Sequence, residues 1–406
     1  VSIQNTSHDK YLKLYKIKSN LVEYEEDTLE NSLDYTHENE NLFLGFQASA
    51  IETLKESYND KYEYILPDIV LSKNLFSNNK YGNLDFQSNF KVHNYDTNKF
   101  ENFFINDLDW KFRNLNLMSG LQGNFLGKIK NVNYETKNVS NYKSDLTNEL
   151  FGAIGYLSEI NLSKTTKNNS NHTLTPKMLL RYAPGHMRKE NSNSRLNHLN
   201  VFTLDRMNTY NNFENGASTT VGFEYEIKNV GSEFDFTLAQ IINDKENKNM
   251  PSSSSLDEKL SDVIGRADYS FLNDKTKINY DFAIDQNYKD FNYSSVGSEF
   301  NLDPIKFNFG YLQEKKHIGD QEYFTTNLEY SGGKSSLFSF ETKRNLVTNS
   351  SEFYNLSYEY LNDCLRAGIV YRREFYNDSE LEPENSLMFK VTLTPFGDIK
   401  SPSFDR

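Results

Sequence analysis

Cysteine and basic charge are both scarce in this sequence of 406 residues, and each shortage excludes something. Cys364 is the only cysteine. A lone thiol closes no disulfide within the chain, and in an exported protein an odd cysteine points to a partner elsewhere. Lys and Arg number 44 against 57 Asp and Glu, a net charge of −13, so the basic footprint of a nucleic-acid binder is missing. No stretch reaches the roughly 18 consecutive apolar residues of a membrane-spanning helix, so any bilayer crossing falls to strands. The chain opens at Val1 with no methionine and no charged and apolar leader, and the expectation is that a signal peptide has been removed or lies on a missing part.

Chemical motifs are equally sparse. His8, His37, His93, His172, His186, His198 and His317 show no metal-ligand spacing with one another or with Cys364, and read as polar loop or lumen residues. Ser252–Ser255 lacks the glycines of a nucleophile elbow, and no glycine-rich phosphate loop is present. No metal, no cofactor and no enzymatic activity are therefore expected.

What the chain does have is aromatic residues in alternation. It carries 27 Tyr and 30 Phe at a mean hydropathy of −0.73. Disordered chains of that polarity are poor in aromatics. A transmembrane barrel reconciles the two, because only alternate residues need be apolar. In the segment 352–375, Tyr354, Leu356, Tyr358 and Tyr360 fall on one parity and Asn355, Ser357 and Glu359 on the other. After a turn at Leu361–Asp363, Leu365, Ala367, Ile369 and Tyr371 oppose Cys364, Arg366, Gly368 and Arg372. That is a β-hairpin with two chemically different faces, reading as lipid outside and water inside. Glu359, Arg366 and Arg372 are candidate lumen-facing residues. Arg372, Arg373, Lys343 and Arg344 could also meet an anionic ligand, although charged side chains are the ordinary lining of a wet lumen.

The same period runs through Val221–Ile227, Phe234–Leu238, Ile278–Ile284, Ile305–Tyr311 and Leu387–Leu393, and less cleanly through Leu42–Phe46, Leu84–Phe90 and Phe151–Leu157. A strand is expected to stop at Pro67. Trp110, among Phe103, Phe104 and Phe112, suits either an interfacial aromatic girdle or ordinary strand packing. Lys164–Thr175 and Asn243–Ser255 read as polar loops. Short turns alternate with longer polar links, as in outer-membrane barrels with short periplasmic turns and long external loops. That places Cys364 at the periplasmic rim. The fold class is all-β, a large antiparallel transmembrane barrel of the outer-membrane type with roughly 18 to 20 strands, spanning 1–398, with 399–406 as a tail.

Several stretches, in order, resemble the lipopolysaccharide-assembly family LptD, also called OstA or Imp. They are VFTLDRMNTYNNFENGASTTVGFEY (201–225), with its Asp-Arg pair and Glu-x-Gly; SSSSLDEKLSDVIGRADYS (252–270); NYDFAIDQNY (279–288); the cysteine-bearing hairpin; and the closing LMFKVTLTPFGD (387–398). The resemblance is best over 176–398. It implies insertion of lipopolysaccharide into the outer leaflet, with outer-membrane lipid, a plug lipoprotein of the LptE type and periplasmic lipopolysaccharide-bridge proteins as partners. It further implies that this is a C-terminal portion, lacking a jellyroll domain whose cysteine would pair with Cys364. One wall of a lateral opening would be the strand Ser386, Leu387, Met388, Phe389, Lys390, Val391, Thr392 and Leu393. The alternatives are a porin-like or gated solute channel of the outer membrane and a secreted β-solenoid; the solenoid would need a fixed short repeat, which the sequence lacks.

Overall fold

The computed structural model describes the chain except for residues 16–26, 56–59, 119, 192–193, 317–318, 334, 363–364, 376–384, 394–396, 401–403 and 406. Cys364 and His317 therefore lie outside the described residues.

Alternation becomes strand throughout. The first half contains β1 (Thr28–Asn39), β2 (Leu42–Thr53), β3 (Tyr62–Asn78), β4 (Gly82–Tyr95), β5 (Lys99–Lys111), a short β6 (Leu115–Met118), β7 (Leu121–Lys137), β8 (Thr147–Ile160), a short β9 (Leu162–Thr165) and β10 (Asn171–Ala183). The second half contains β11 (Gly216–Asn229), β12 (Ser232–Asn243), β13 (Val263–Phe271), β14 (Thr276–Ile284), β15 (Phe291–Leu302), β16 (Ile305–Glu314), β17 (Gln321–Ser331), β18 (Ser336–Asn345), β19 (Ser350–Leu361), β20 (Leu365–Glu374) and β21 (Asn385–Leu393), followed by the short β22 (Gly397–Lys400) and β23 (Phe404–Asp405). Nineteen of these strands are nine residues or longer. Sequence neighbours pair antiparallel, as with β11 and β12 or β19 and β20. β8 and β9 act as one strand interrupted at Asn161, since both pair with β10.

Register keeps the two faces pure. Tyr358 sits opposite Ile369 and Leu356 opposite Tyr371, so apolar residues meet apolar partners across the ladder. These side chains remain open on the outer face, where Tyr358 is 48% exposed and Ile154 66%. In water that much exposed apolar surface would be costly, whereas hydrocarbon solvates it. The sheet is the wall of an outer-membrane β-barrel.

Three sequence expectations are corrected, and one that stood open is divided. β3 does not stop at Pro67 but runs through it. Its register skips Leu66 and Pro67 against both neighbours, pairing Ile65 then Asp68 with His93 and Lys91. Proline's missing N–H costs nothing in such a bulge. Within the expected loop Lys164–Thr175, residues Asn171–Thr175 form the start of β10, paired with Lys228–Glu224 of β11. Polar side chains hide a strand whose backbone the neighbouring strand satisfies. The expected tail is also partly paired, with Ile399 and Lys400 opposite Val391 and Lys390, so the sheet continues past the strand Ser386–Leu393. The aromatic cluster around Trp110 splits by parity: Phe104 and Trp110 face outward, while Phe103 is buried inside against Tyr134 and Tyr142.

The two ends of the sheet differ. From β11 onward one end has tight turns, such as Asn229 paired directly with Ser232 and Leu302 with Ile305. The opposite end carries the long connections, 184–215 between β10 and β11 and 244–262 between β12 and β13. By the rule of short periplasmic turns, the long connections lie on the external side.

Candidate functional site

The segment 184–215 lies against the inner wall, as its contacts with the inward parity show. Gly155 of β8 faces inward, and a Cβ there would stand 2.6 Å from Leu204 Cδ2, so the glycine makes room for that leucine. Leu204 and Phe213 join Ile105, Val132, Phe151 and Ala153 in one buried cluster. Met187, Leu196, Val201 and Met207 join Ala239, Ile241, Ile264 and Ala283 in a second, which Met250 and Leu256 of the connection 244–262 complete. A sector of the lumen expected to be wet is thus apolar at its external end and filled by the chain's own connections.

Charged groups fix the filling in place. Arg181 of β10 is buried; its Nε donates to the Leu204 carbonyl at 2.7 Å and its guanidinium to the Glu214 carbonyl at 2.5 Å. Arg206 is fully buried, with Nε 3.2 Å from a Glu214 carboxylate oxygen and a second nitrogen bonded to Ser218 Oγ. Lys130 of β7 donates to the Thr209 carbonyl and lies 3.3 Å from Asp205, while Lys128 lies 3.6 Å from the same carboxylate. Buried charges are tolerable only when paired and hydrogen-bonded. Arg188 pairs with Glu149 of β8 and stacks over Tyr134 at 5.2 Å. At the other extreme, Arg195 meets Glu314 of β16 at 2.8 Å, and His198 lies 3.4 Å from Asp281 of β14. One connection therefore ties β7 to β16 across the inner face.

Outside that filling the inner wall is polar and self-paired: Lys228 meets Glu233 at 3.2 Å beside the tight turn Asn229–Ser232, Lys177 meets Glu224 at 2.6 Å midway along its strand, and Lys343 meets Glu352 at 2.9 Å toward the external end. Glu359 and Arg366, two of the sequence candidates, form an ion pair on this face. Arg372, the third, stands opposite Asn355 and stacks 5.0 Å from the Phe353 ring. In the strand Ser386–Leu393, Leu387 and Phe389 point outward, exposed, and the backbone pairs with β20 on one side and with β22 and β23 on the other. The charges holding the filled sector were not singled out by sequence reasoning beyond the Asp205-Arg206 and Glu214-Asn215-Gly216 resemblance. Arg181, Lys128 and Lys130 sit on the inward parity, which is the one signal that marks them.

The chain shows distant similarity to solved outer-membrane proteins. The siderophore receptor PirA from Acinetobacter baumannii matches at 9% identity and a TM-score of 0.42, over 90% of this chain and 71% of that one. The ferric enterobactin receptor PfeA from Pseudomonas aeruginosa matches at 9% identity and 0.40, over 90% and 70%. The copper transporter OprC matches at 7% identity and 0.37, over 91% and 70%. Nothing about function transfers at this level. No curated protein matches the sequence. The model of the family "LptD: LPS transport system D" matches residues 1–337. That span includes the whole filled sector and most of the barrel wall, and the chain belongs to this family of outer-membrane lipopolysaccharide transport proteins.

Proposed function

We propose that this barrel performs the last step of lipopolysaccharide transport, insertion into the outer leaflet, and that it is a conduit with no enzymatic activity. The observation that carries the reading is the division of the inner wall between a polar lining whose charges pair along and between the strands and, at the external end of one sector, a filled apolar region. An amphiphile needs a wet route for its sugars and a hydrocarbon route for its tails, because charged sugar in hydrocarbon and long tails in water are both costly. The polar wall suits the glycan. The filled sector keeps the external mouth from standing open as a solute pore would. Acyl chains would leave through a lateral opening of which the strand Ser386–Leu393 forms part of one wall.

Under the same reading, a plug lipoprotein of the LptE type occupies the lumen, and bridge proteins deliver lipopolysaccharide through a periplasmic jellyroll. A disulfide from Cys364 to that jellyroll would hold the two conduits in line. Depletion of the full-length protein in its host tests the reading. Surface lipopolysaccharide should fall while its synthesis continues. Unchanged surface lipopolysaccharide with altered uptake of small solutes would instead identify a channel.

A further inference from the structure

We propose that the outer wall of β5, β7, β8 and β10 holds one anionic phospholipid of the periplasmic leaflet, its acyl chain in a groove centred on Gly127 and its phosphate on Lys80 and Arg113. Much of the outer face carries large side chains. Across one row of paired residues, however, Leu84, Trp110, Gly127, Ile154, Tyr182 and Ala217 are successive partners. Gly127 leaves a gap between Trp110 and Ile154, and Ala217 another beside Tyr182. Two apolar grooves result, of about 680 Å³ and about 620 Å³, and both are lined by Trp110, Gly127, Ile154 and Tyr182. They are continuous with the lipid-facing wall, so the occupant is hydrocarbon.

The second groove reaches Tyr81 and Trp110, next to the tight turn that joins β3 to β4. By the meander's alternation this turn is at the periplasmic end, where the leaflet is phospholipid. Trp110 Nε1 donates to the Tyr81 carbonyl at 3.0 Å, and its ring packs edge-on against Phe112 at 5.4 Å. Lys80 Nζ lies 5.1 Å from the Tyr81 ring and the Arg113 guanidinium 5.9 Å from the Phe112 ring. Gly82 brings the two turns together: a Cβ there would stand 2.1 Å from the Lys111 carbonyl, and its φ of +82° suits glycine. Two cations thus sit on one aromatic patch at the mouth of the groove, and none of the ion pairs among the described residues involves either. Tyrosine and tryptophan at headgroup depth with adjacent cations match a phosphate above and a chain below.

Native mass spectrometry of the full-length protein in detergent, titrated with dipalmitoyl phosphatidylglycerol, tests this. Wild type should retain one lipid. Gly127→Leu fills the groove; the added Cβ would lie 3.5 Å from Trp110, an ordinary contact, so the fold should survive. Lys80→Ala/Arg113→Ala alters only exposed turn residues. Each should retain the lipid about tenfold more weakly, the scale of a lost charge-assisted contact or more, and the double variant should also lose preference for phosphatidylglycerol over phosphatidylethanolamine. Wild type holding no lipid, cation variants indistinguishable from wild type, or a co-purified lipid with the mass of lipid A would each overturn the proposal. None of these outcomes bears on lipopolysaccharide insertion, which the depletion experiment reads separately.

Discussion

Arg206 and Glu214 are buried together on the inner wall, guanidinium Nε 3.2 Å from carboxylate, eight positions apart in a connection with no regular structure. Neither charge would enter such a site alone.

Removing one partner should cost more than removing both. Arg206→Ala leaves Glu214 buried beside Arg181, and the expected loss is about 3–5 kcal/mol of local stability. The double variant Arg206→Met/Glu214→Leu should lose markedly less. Proteolysis of the segment 184–215 in folded protein measures this, and equal sensitivity in single and double variants would count against the pairing as the anchor.

Gly155→Val should push Leu204 off the wall, since the Cβ position stands 2.6 Å from Leu204 Cδ2 and 3.2 Å from the Leu180 carbonyl. Overpacking of this kind costs about 1–3 kcal/mol. Pairing it with Leu204→Ala should recover part of the loss. A thermal melt that shows no recovery would mean the clash is with the backbone instead.

Asp262, at the end of the connection 244–262, has its carboxyl pushed above the ordinary aspartate range by burial, against the lowering effects of the Asn292 hydrogen bond and Lys316. The packed state therefore binds more protons than the unpacked one between the two values, and its stability falls as pH rises through that window. Asp262→Asn should increase protection of the connection at neutral pH and make no difference well below the window. Amide hydrogen exchange of residues 244–262 at both pH values checks the sign.

The faces of β19 should respond oppositely to charge. Tyr358→Lys places a cation in hydrocarbon, at an expected cost of about 2–4 kcal/mol if it lies near mid-bilayer. Glu359→Gln, one residue along, breaks only a half-exposed pair with Arg366 and should cost no more than about 1 kcal/mol. Folding yields into lipid vesicles compare the two, and similar losses would contradict the assignment of faces.

The sequence by itself determined the all-β class, the two-faced wall and the sidedness of its ends, because period-2 alternation and turn length are local properties that a few adjacent residues carry. It was clearest in β16, where Ile305, Phe307, Phe309 and Tyr311 face lipid. It was weaker in β8, and the structure explains why: Phe151 and Ala153 are buried inside while Leu150 and Ile154 are exposed outside, so both parities are apolar and the contrast disappears. Only the tertiary structure decided that the external end of this sector is filled. Lys130 and Thr209 are 79 residues apart, and Arg195 and Glu314 are 119; no local pattern records such partners. The connection 184–215 carries no alternation to read, and charges such as Arg188 and Arg195 find their partners, Glu149 and Glu314, on strands that come together only once the wall has formed.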